Sequence, residues 1–112
     1  MKIITKGQAL EAIKNGEFSI DIIGSASRVA VILTQSWCPQ WHSMKMFVSD
    51  FKEAEVYCLE YDKTDYFDSF RIFKENTFGN DKIPYIRYYS DGRLVTETNA
   101  VSFEDFRRML KM

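Results

Sequence analysis

The feature that most constrains the fold is an apolar strand that leads directly into a helix. The run Val29–Thr34 is apolar and largely β-branched, which is typical of a strand covered on both faces of a sheet. Trp37, Cys38 and Pro39 follow almost at once. Proline suits the first turn of a helix, where a missing N–H has no partner to lose. The sequence therefore predicts a strand, a short turn and a helix whose amino terminus carries Cys38.

Residue spacing predicts the remaining elements of an α/β protein. Apolar residues recur at helical spacing after Cys38, and Val56–Tyr61 indicates a second central strand. Two β-rich runs flank Ser90-Asp91-Gly92-Arg93, and Asp-Gly between such runs predicts a hairpin. The full order is β-α-β-α-β-α-β-β-α, which predicts a three-layer α/β/α fold with a mixed central sheet. The smaller elements expected are a strand at Ile3 and Ile4, and helices over Gln8–Asn15, Tyr66–Lys74 and after Ser102.

Two segments give weaker indications. In Phe18–Arg28, Gly24 and three serines favour a loop, whereas three isoleucines favour burial. Both interpretations remain open for that segment. The stretch Asn76–Lys82 is polar and contains glycine, which predicts a loop.

Composition narrows the range of partners. The 112 residues suit a single domain, 1–112, and 15 basic against 16 acidic residues give a net charge of -1. That balance predicts neither a nucleic-acid surface nor a basic membrane patch. The longest apolar runs are far shorter than the roughly 20 residues of a membrane helix. With no secretory leader evident, we expect a cytoplasmic monomer.

Four motifs in the same order give the sequence a resemblance to the thioredoxin family over most of its length. Trp37-Cys38 follows a buried strand, Ile83-Pro84 precedes the hairpin, Asp91-Gly92-Arg93 fits the turn, and Asn99-Ala100-Val101-Ser102 leads into the last helix. The resemblance implies the thioredoxin fold, thiol–disulfide exchange with client proteins and a cis peptide bond at Pro84. It also implies a peptide groove beside the thiol, formed by Trp37, Pro39, Trp41, Ile83 and Pro84. For Trp41, lining of the groove and burial in the core both remain open.

The departures from the family pattern are linked chemically. The family's Cys-Gly-Pro-Cys is here Cys38-Pro39-Gln40-Trp41, so the resolving cysteine is replaced by Trp41. A buried aspartate of the family aligns with Ile32, and a neighbouring lysine aligns with Cys58. Both residues serve the resolving step, and without that step a buried carboxylate carries only a desolvation penalty. The chain is also longer than the family pattern near residues 76–81.

Cys38 is the first candidate for chemistry. A cysteine at a helix amino terminus faces exposed backbone N–H groups and the positive end of the helix dipole, and both favour the thiolate. The alternative is a buried, inert cysteine in a fold that serves another purpose. The family context favours the reactive thiol.

His42 and Cys58 are secondary candidates. His42 lies four residues after Cys38 on the same helix face, where it is either a thiolate stabiliser or an exposed surface side chain, and we favour the latter. Cys58 is either an unorthodox resolving thiol or a core cysteine packed under Trp41, and free cysteine is commonly buried. Two cysteines and one histidine do not form a zinc motif. We therefore expect no metal and no cofactor.

Two functional hypotheses follow. The first is a redox protein that forms mixed disulfides through Cys38 and depends on glutathione or another external thiol for release. Such a protein is expected to be a poor disulfide reductase. The second is a redox-inactive module that keeps the peptide groove, and it is motivated by Trp41 and by the longer segment at residues 76–81.

Overall fold

A five-stranded mixed sheet forms the centre of the computed structural model, which describes residues 1–112. The strands lie in the order β1-β3-β2-β4-β5. The first three are mutually parallel, whereas β4 is antiparallel to both β2 and β5. Their bounds are β1 Lys2–Ile3, β2 Arg28–Thr34, β3 Glu55–Glu60, β4 Tyr85–Ser90 and β5 Arg93–Thr98.

Helices cover both sides of the sheet, which confirms the three-layer α/β/α prediction. Their bounds are α1 Lys6–Asn15, α2 Ile20–Ile23, α3 Pro39–Val48, α4 Phe67–Asn76 and α5 Phe103–Met109, with a 3-10 turn at Tyr61–Lys63. Helix α1 begins two residues before the predicted start, because Thr5 and Gln8 form a capping box there. The segment Phe18–Arg28, for which a loop and a buried element both remained open, contains the short α2. No helix in the structure has both the length and the apolar character needed to cross a membrane.

Strand β2 separates two apolar clusters, because its side chains alternate between the faces of the sheet. Val29, Val31 and Leu33 pack with α1 and α4, and we call this side the α1/α4 face. Ala30 and Ile32 pack with α3 and α5 on the opposite side, the α3/α5 face. The helix predicted after Cys38 buries its apolar stripe on the latter.

Local chemistry places the chain reversals where the sequence predicts them. Asp91 and Gly92 have φ angles of 50° and 79°, as a two-residue hairpin turn between twisted strands requires. Ser102 caps α5 by accepting a hydrogen bond from the Asp105 N–H at 3.2 Å. The reciprocal half of a capping box does not form there, because the Asp105 carboxylate accepts a hydrogen bond from Arg108 instead.

Candidate functional site

Cys38 occupies the N-cap position of α3, where the chain leaves β2 and enters the helix. Its side chain caps no helix N–H, and the residue is only 4% exposed. The thiol donates a weak hydrogen bond to the carbonyl oxygen of Ile83, with 3.8 Å between sulfur and oxygen. The sulfur therefore lies between a helix amino terminus and the segment that precedes β4.

Asp62 fixes the turn that presents Cys38. Its carboxylate accepts one hydrogen bond from the Ser36 N–H at 2.8 Å and another from the Ser36 hydroxyl at 2.6 Å. Asp62 was not predicted as a site residue from the sequence. Ser36 and Asp62 each follow one of two adjacent parallel strands, so their side chains meet at the same sheet edge. That shared edge is the sequence signal that points to the pair.

His42 lies on the outside of the same turn. Its side chain is exposed, and ring nitrogen Nε2 is hydrogen-bonded to the Ser36 carbonyl oxygen. No hydrogen bond joins the ring to the Cys38 sulfur. The ring is therefore hydrogen-bonded to the turn and not to the thiol.

The two tryptophans next to Cys38 have opposite environments. Trp37 is 64% exposed, and its indole N–H donates to the Gln35 side-chain oxygen at 2.6 Å. Trp41 is fully buried, and its indole N–H donates to Glu60 at 2.8 Å. Of the two alternatives for Trp41, the structure supports burial in the core and not the groove, because the apolar stripe of α3 turns the ring into the core. Trp37 remains available to a partner.

Cys58 lies inside the α3/α5 face. It pairs in register with Ile32 on the neighbouring strand and belongs to the same apolar cluster as Trp41 and Cys38. Burial, reinforced by the nearby Glu60 carboxylate, raises the pKa of the Cys58 thiol to about 12. Both cysteines are free in the structure. A thiol with so high a pKa stays protonated at neutral pH, which disfavours a resolving role for Cys58 and favours the core interpretation.

The segment Ile83–Pro84 lies beside the thiol, and its proline ring is largely covered. The Ile83–Pro84 peptide bond is cis, and Pro84 is buried while Ile83 is half-buried. The Ile83 N–H has no hydrogen-bond partner in the chain. Pro39, at the start of α3, is exposed. Ile83 is therefore more accessible than Pro84 to a partner that approaches Cys38.

A groove of about 460 Å³ lies along α3, between that helix and the segment that leads into α5. Gln40, Met44 and Phe47 form its helical wall, and Ala100 and Val101 form the wall opposite. From the sequence, Ala100 and Val101 were identified only as part of a motif before α5. No group of three or more His, Cys, Asp or Glu side chains is arranged to hold a metal ion.

Comparisons with known proteins identify the fold. No protein-family model matches the sequence, and no curated protein matches it. Among solved structures, oxidised thioredoxin O1 from Arabidopsis thaliana has a TM-score of 0.66 at 10% identity, over 98% of this chain and 94% of its own. Thioredoxin from Plasmodium falciparum has a TM-score of 0.65 at 16% identity, over 99% and 97%. Fasciola hepatica thioredoxin has a TM-score of 0.61 at 14% identity, over 99% and 97%. The chain has the thioredoxin fold.

Proposed function

We propose that the protein exchanges disulfides with client proteins through Cys38 alone, as a single-domain monomer. The Cys38 thiol first loses its proton to solvent. The thiolate then attacks one sulfur of a client disulfide. A new bond forms between Cys38 and that sulfur, the client bond breaks, and the second client sulfur leaves as a thiolate. The product is a mixed disulfide between protein and client.

The placement of the Cys38 sulfur is the observation that carries this proposal. It lies at the amino terminus of α3 and 3.8 Å from the Ile83 carbonyl oxygen. The Ile83 N–H beside it has no partner within the chain. Attack and recognition of a peptide backbone can therefore take place at one point.

An external thiol completes the cycle in this proposal. Trp41 stands where a resolving cysteine would be, and the pKa of Cys58 is raised to about 12 by burial. Glutathione or a similar small thiol attacks the mixed disulfide, releases Cys38 and leaves joined to the client sulfur. This mechanism suits a cytoplasmic setting, where reduced small thiols are abundant.

A coloured mixed disulfide tests the proposal directly. The probe is a short peptide whose single cysteine is bonded to 2-nitro-5-thiobenzoate, a thiolate that absorbs when it leaves. We expect the wild type and Cys58→Ala to release it and to gain the mass of one peptide. Cys38→Ser should do neither. Glutathione should then restore the original mass of the wild type.

Two results would contradict one-thiol exchange. An adduct located on Cys58 would show that Cys58, and not Cys38, is the reacting thiol. Insulin reduction at an ordinary rate with thioredoxin reductase would require a second working thiol.

The alternative is a redox-inactive binding module, and the near-burial of Cys38 at 4% exposure favours it. In that case the groove along α3 binds an extended peptide without covalent chemistry. Alkylation by iodoacetamide at neutral pH discriminates between the two functions. Rapid modification of Cys38 supports exchange, whereas a Cys38 as inert as Cys58 supports the binding module.

A further inference from the structure

A buried lysine supports the segment that precedes Ile83. Lys74, near the end of α4, is 0% exposed. Its ammonium group donates hydrogen bonds to the carbonyl oxygens of Asn80 and Lys82, each at 2.8 Å. It also lies 5.4 Å from the centre of the Tyr85 ring. The polar loop after α4, residues 77–83, is therefore folded around a cation that α4 supplies.

An asparagine pair secures the same loop from the other side. The Asn99 side-chain N–H₂ donates to the Pro84 carbonyl oxygen and to the Asn80 side-chain oxygen, both at 3.0 Å. Asn80 donates back to the Asn99 side-chain oxygen at 3.2 Å, and its own oxygen accepts from the Lys82 N–H at 3.0 Å. These contacts join the loop to the segment that follows β5.

Three successive carbonyl groups are consequently committed to three different partners. The Lys82 oxygen accepts from Lys74, the Ile83 oxygen from the Cys38 thiol, and the Pro84 oxygen from Asn99. Only the middle partner changes during exchange, because a thiolate has no S–H to donate. Ionisation of Cys38 therefore frees the Ile83 carbonyl for a client N–H, while its two neighbours stay fixed.

A buried lysine at position 74 costs desolvation free energy, which is offset only where its N–H groups donate hydrogen bonds. Removing an ammonium group from water carries a large desolvation penalty, and an apolar side chain of similar volume would avoid it. That penalty lowers the pKa of Lys74 to about 8, with Glu75 and Asp81 acting in the opposite direction. The two carbonyl acceptors are the compensation that the structure provides.

We propose that Lys74 and Asn99 are positioning residues for exchange at Cys38, because they hold the carbonyl groups on either side of Ile83 and thereby fix its backbone for a peptide client. This inference rests on the proposed function. It predicts selectivity for substrates that have a peptide backbone. A small disulfide without main-chain groups needs only the sulfur of Cys38, so its reaction should not depend on Lys74 or Asn99.

Two disulfide probes separate positioning from general damage. The first is the peptide mixed disulfide described above, and the second is 5,5′-dithiobis(2-nitrobenzoate), which has no peptide backbone. We expect Lys74→Met and Asn99→Asp to slow the peptide reaction about tenfold, as small misplacements of a reacting group do. Both variants should react with the small disulfide as fast as the wild type. Lys14→Met, a change at an exposed lysine of α1, should alter neither rate.

Equal slowing with both probes would overturn the proposal, because it would indicate a merely structural role. Unchanged rates in both variants would overturn it as well.

A binding measurement distinguishes failure of this proposal from failure of the exchange function. The Ile83 amide signal is followed by NMR while a serine analogue of the peptide is added. If the wild type reacts with neither disulfide, the exchange function fails. The positioning role then stands only if the analogue shifts the Ile83 signal in the wild type and in Lys14→Met but not in Lys74→Met. Any other pattern overturns it.

Discussion

The two faces of the sheet bury different chemistry. The α1/α4 face contains both buried charged side chains, Lys74 and Arg87. Arg87 donates to the Tyr85 and Tyr89 hydroxyls at 2.8 and 2.7 Å and to Glu17 at 2.7 Å, and it stacks 3.8 Å from the centre of the Phe78 ring. The α3/α5 face contains both thiols and no buried charge. One face thus depends on a connected polar network, whereas the other depends on packing.

This division has a consequence for the thiols. The position that would hold a buried carboxylate in a two-thiol protein is Ile32, on the α3/α5 face beside Cys58. The hydrogen bond that the structure shows at the Cys38 sulfur goes to a main-chain group, the Ile83 carbonyl, and Cys38 itself stands at the amino terminus of α3. On the opposite face, Lys74 donates hydrogen bonds to the loop before Pro84, which is the contact on which its proposed positioning role rests.

The largest expected effect on the free energy of unfolding is on the α3/α5 face. Trp41→Ala should lower the free energy of unfolding by about 3–5 kcal/mol, because it empties the space of a large buried ring. The indole hydrogen bond to Glu60 is lost as well. Urea unfolding followed by circular dichroism measures the change. Trp37→Ala is the matched control, and its exposed ring should contribute little. A similar loss in both variants would remove the distinction between the two indoles.

A smaller loss of stability is expected on the α1/α4 face. Glu17→Ala should lower the free energy of unfolding by about 1–3 kcal/mol, because it leaves buried donors of Arg87 and Tyr89 without their acceptor. Glu97, 3.6 Å from Arg87, compensates in part. The same urea experiment applies, with the exposed Glu11→Ala on α1 as control. If Glu17→Ala costs more than Trp41→Ala, the polar network and not packing is the main source of stability.

Alkaline pH should give the smallest net effect on stability, because the contributions of the two faces have opposite signs. The pKa of Lys74 is lowered from 10.5 to about 8, so its contribution to stability rises as pH increases between these values. The pKa of Cys58 is raised from 9.0 to about 12, so its contribution falls as pH increases from 9.0 towards 12.

Stability measured across this pH range in variants separates the two groups. Relative to the wild type, Lys74→Met should remove a rise that begins near pH 8. Cys58→Ala should remove a fall that begins near pH 9.0. Parallel curves for the wild type and either variant would refute the corresponding assignment.

The elements predicted from sequence are those with local causes. Strand β2 follows from a continuous β-branched run, and the β4–β5 hairpin follows from Asp91 and Gly92, which tolerate positive φ. The order of these elements, together with the motif around Cys38, was sufficient for the fold. Short motifs were informative because each specifies its own backbone geometry.

The parts that sequence did not predict depend on residues distant in the chain. The polar loop near residues 76–81 was identified only as extra length, because its structure requires Lys74 on one side and Asn99 on the other. For Trp41 the sequence left groove lining and core burial open, because only the packing of α3 on the sheet decides between them. Asp62 was missed because its partner, Ser36, lies on a different strand end.

The contrasting indoles also give the molecule two independent optical reporters. Trp37, exposed and one residue from the thiol, is accessible to aqueous quenchers and should change its emission when a client adduct covers Cys38. Trp41, enclosed in the α3/α5 face, is shielded from those quenchers until the core opens. Formation of the mixed disulfide and unfolding of the core can therefore be followed separately by fluorescence in a single unlabelled protein.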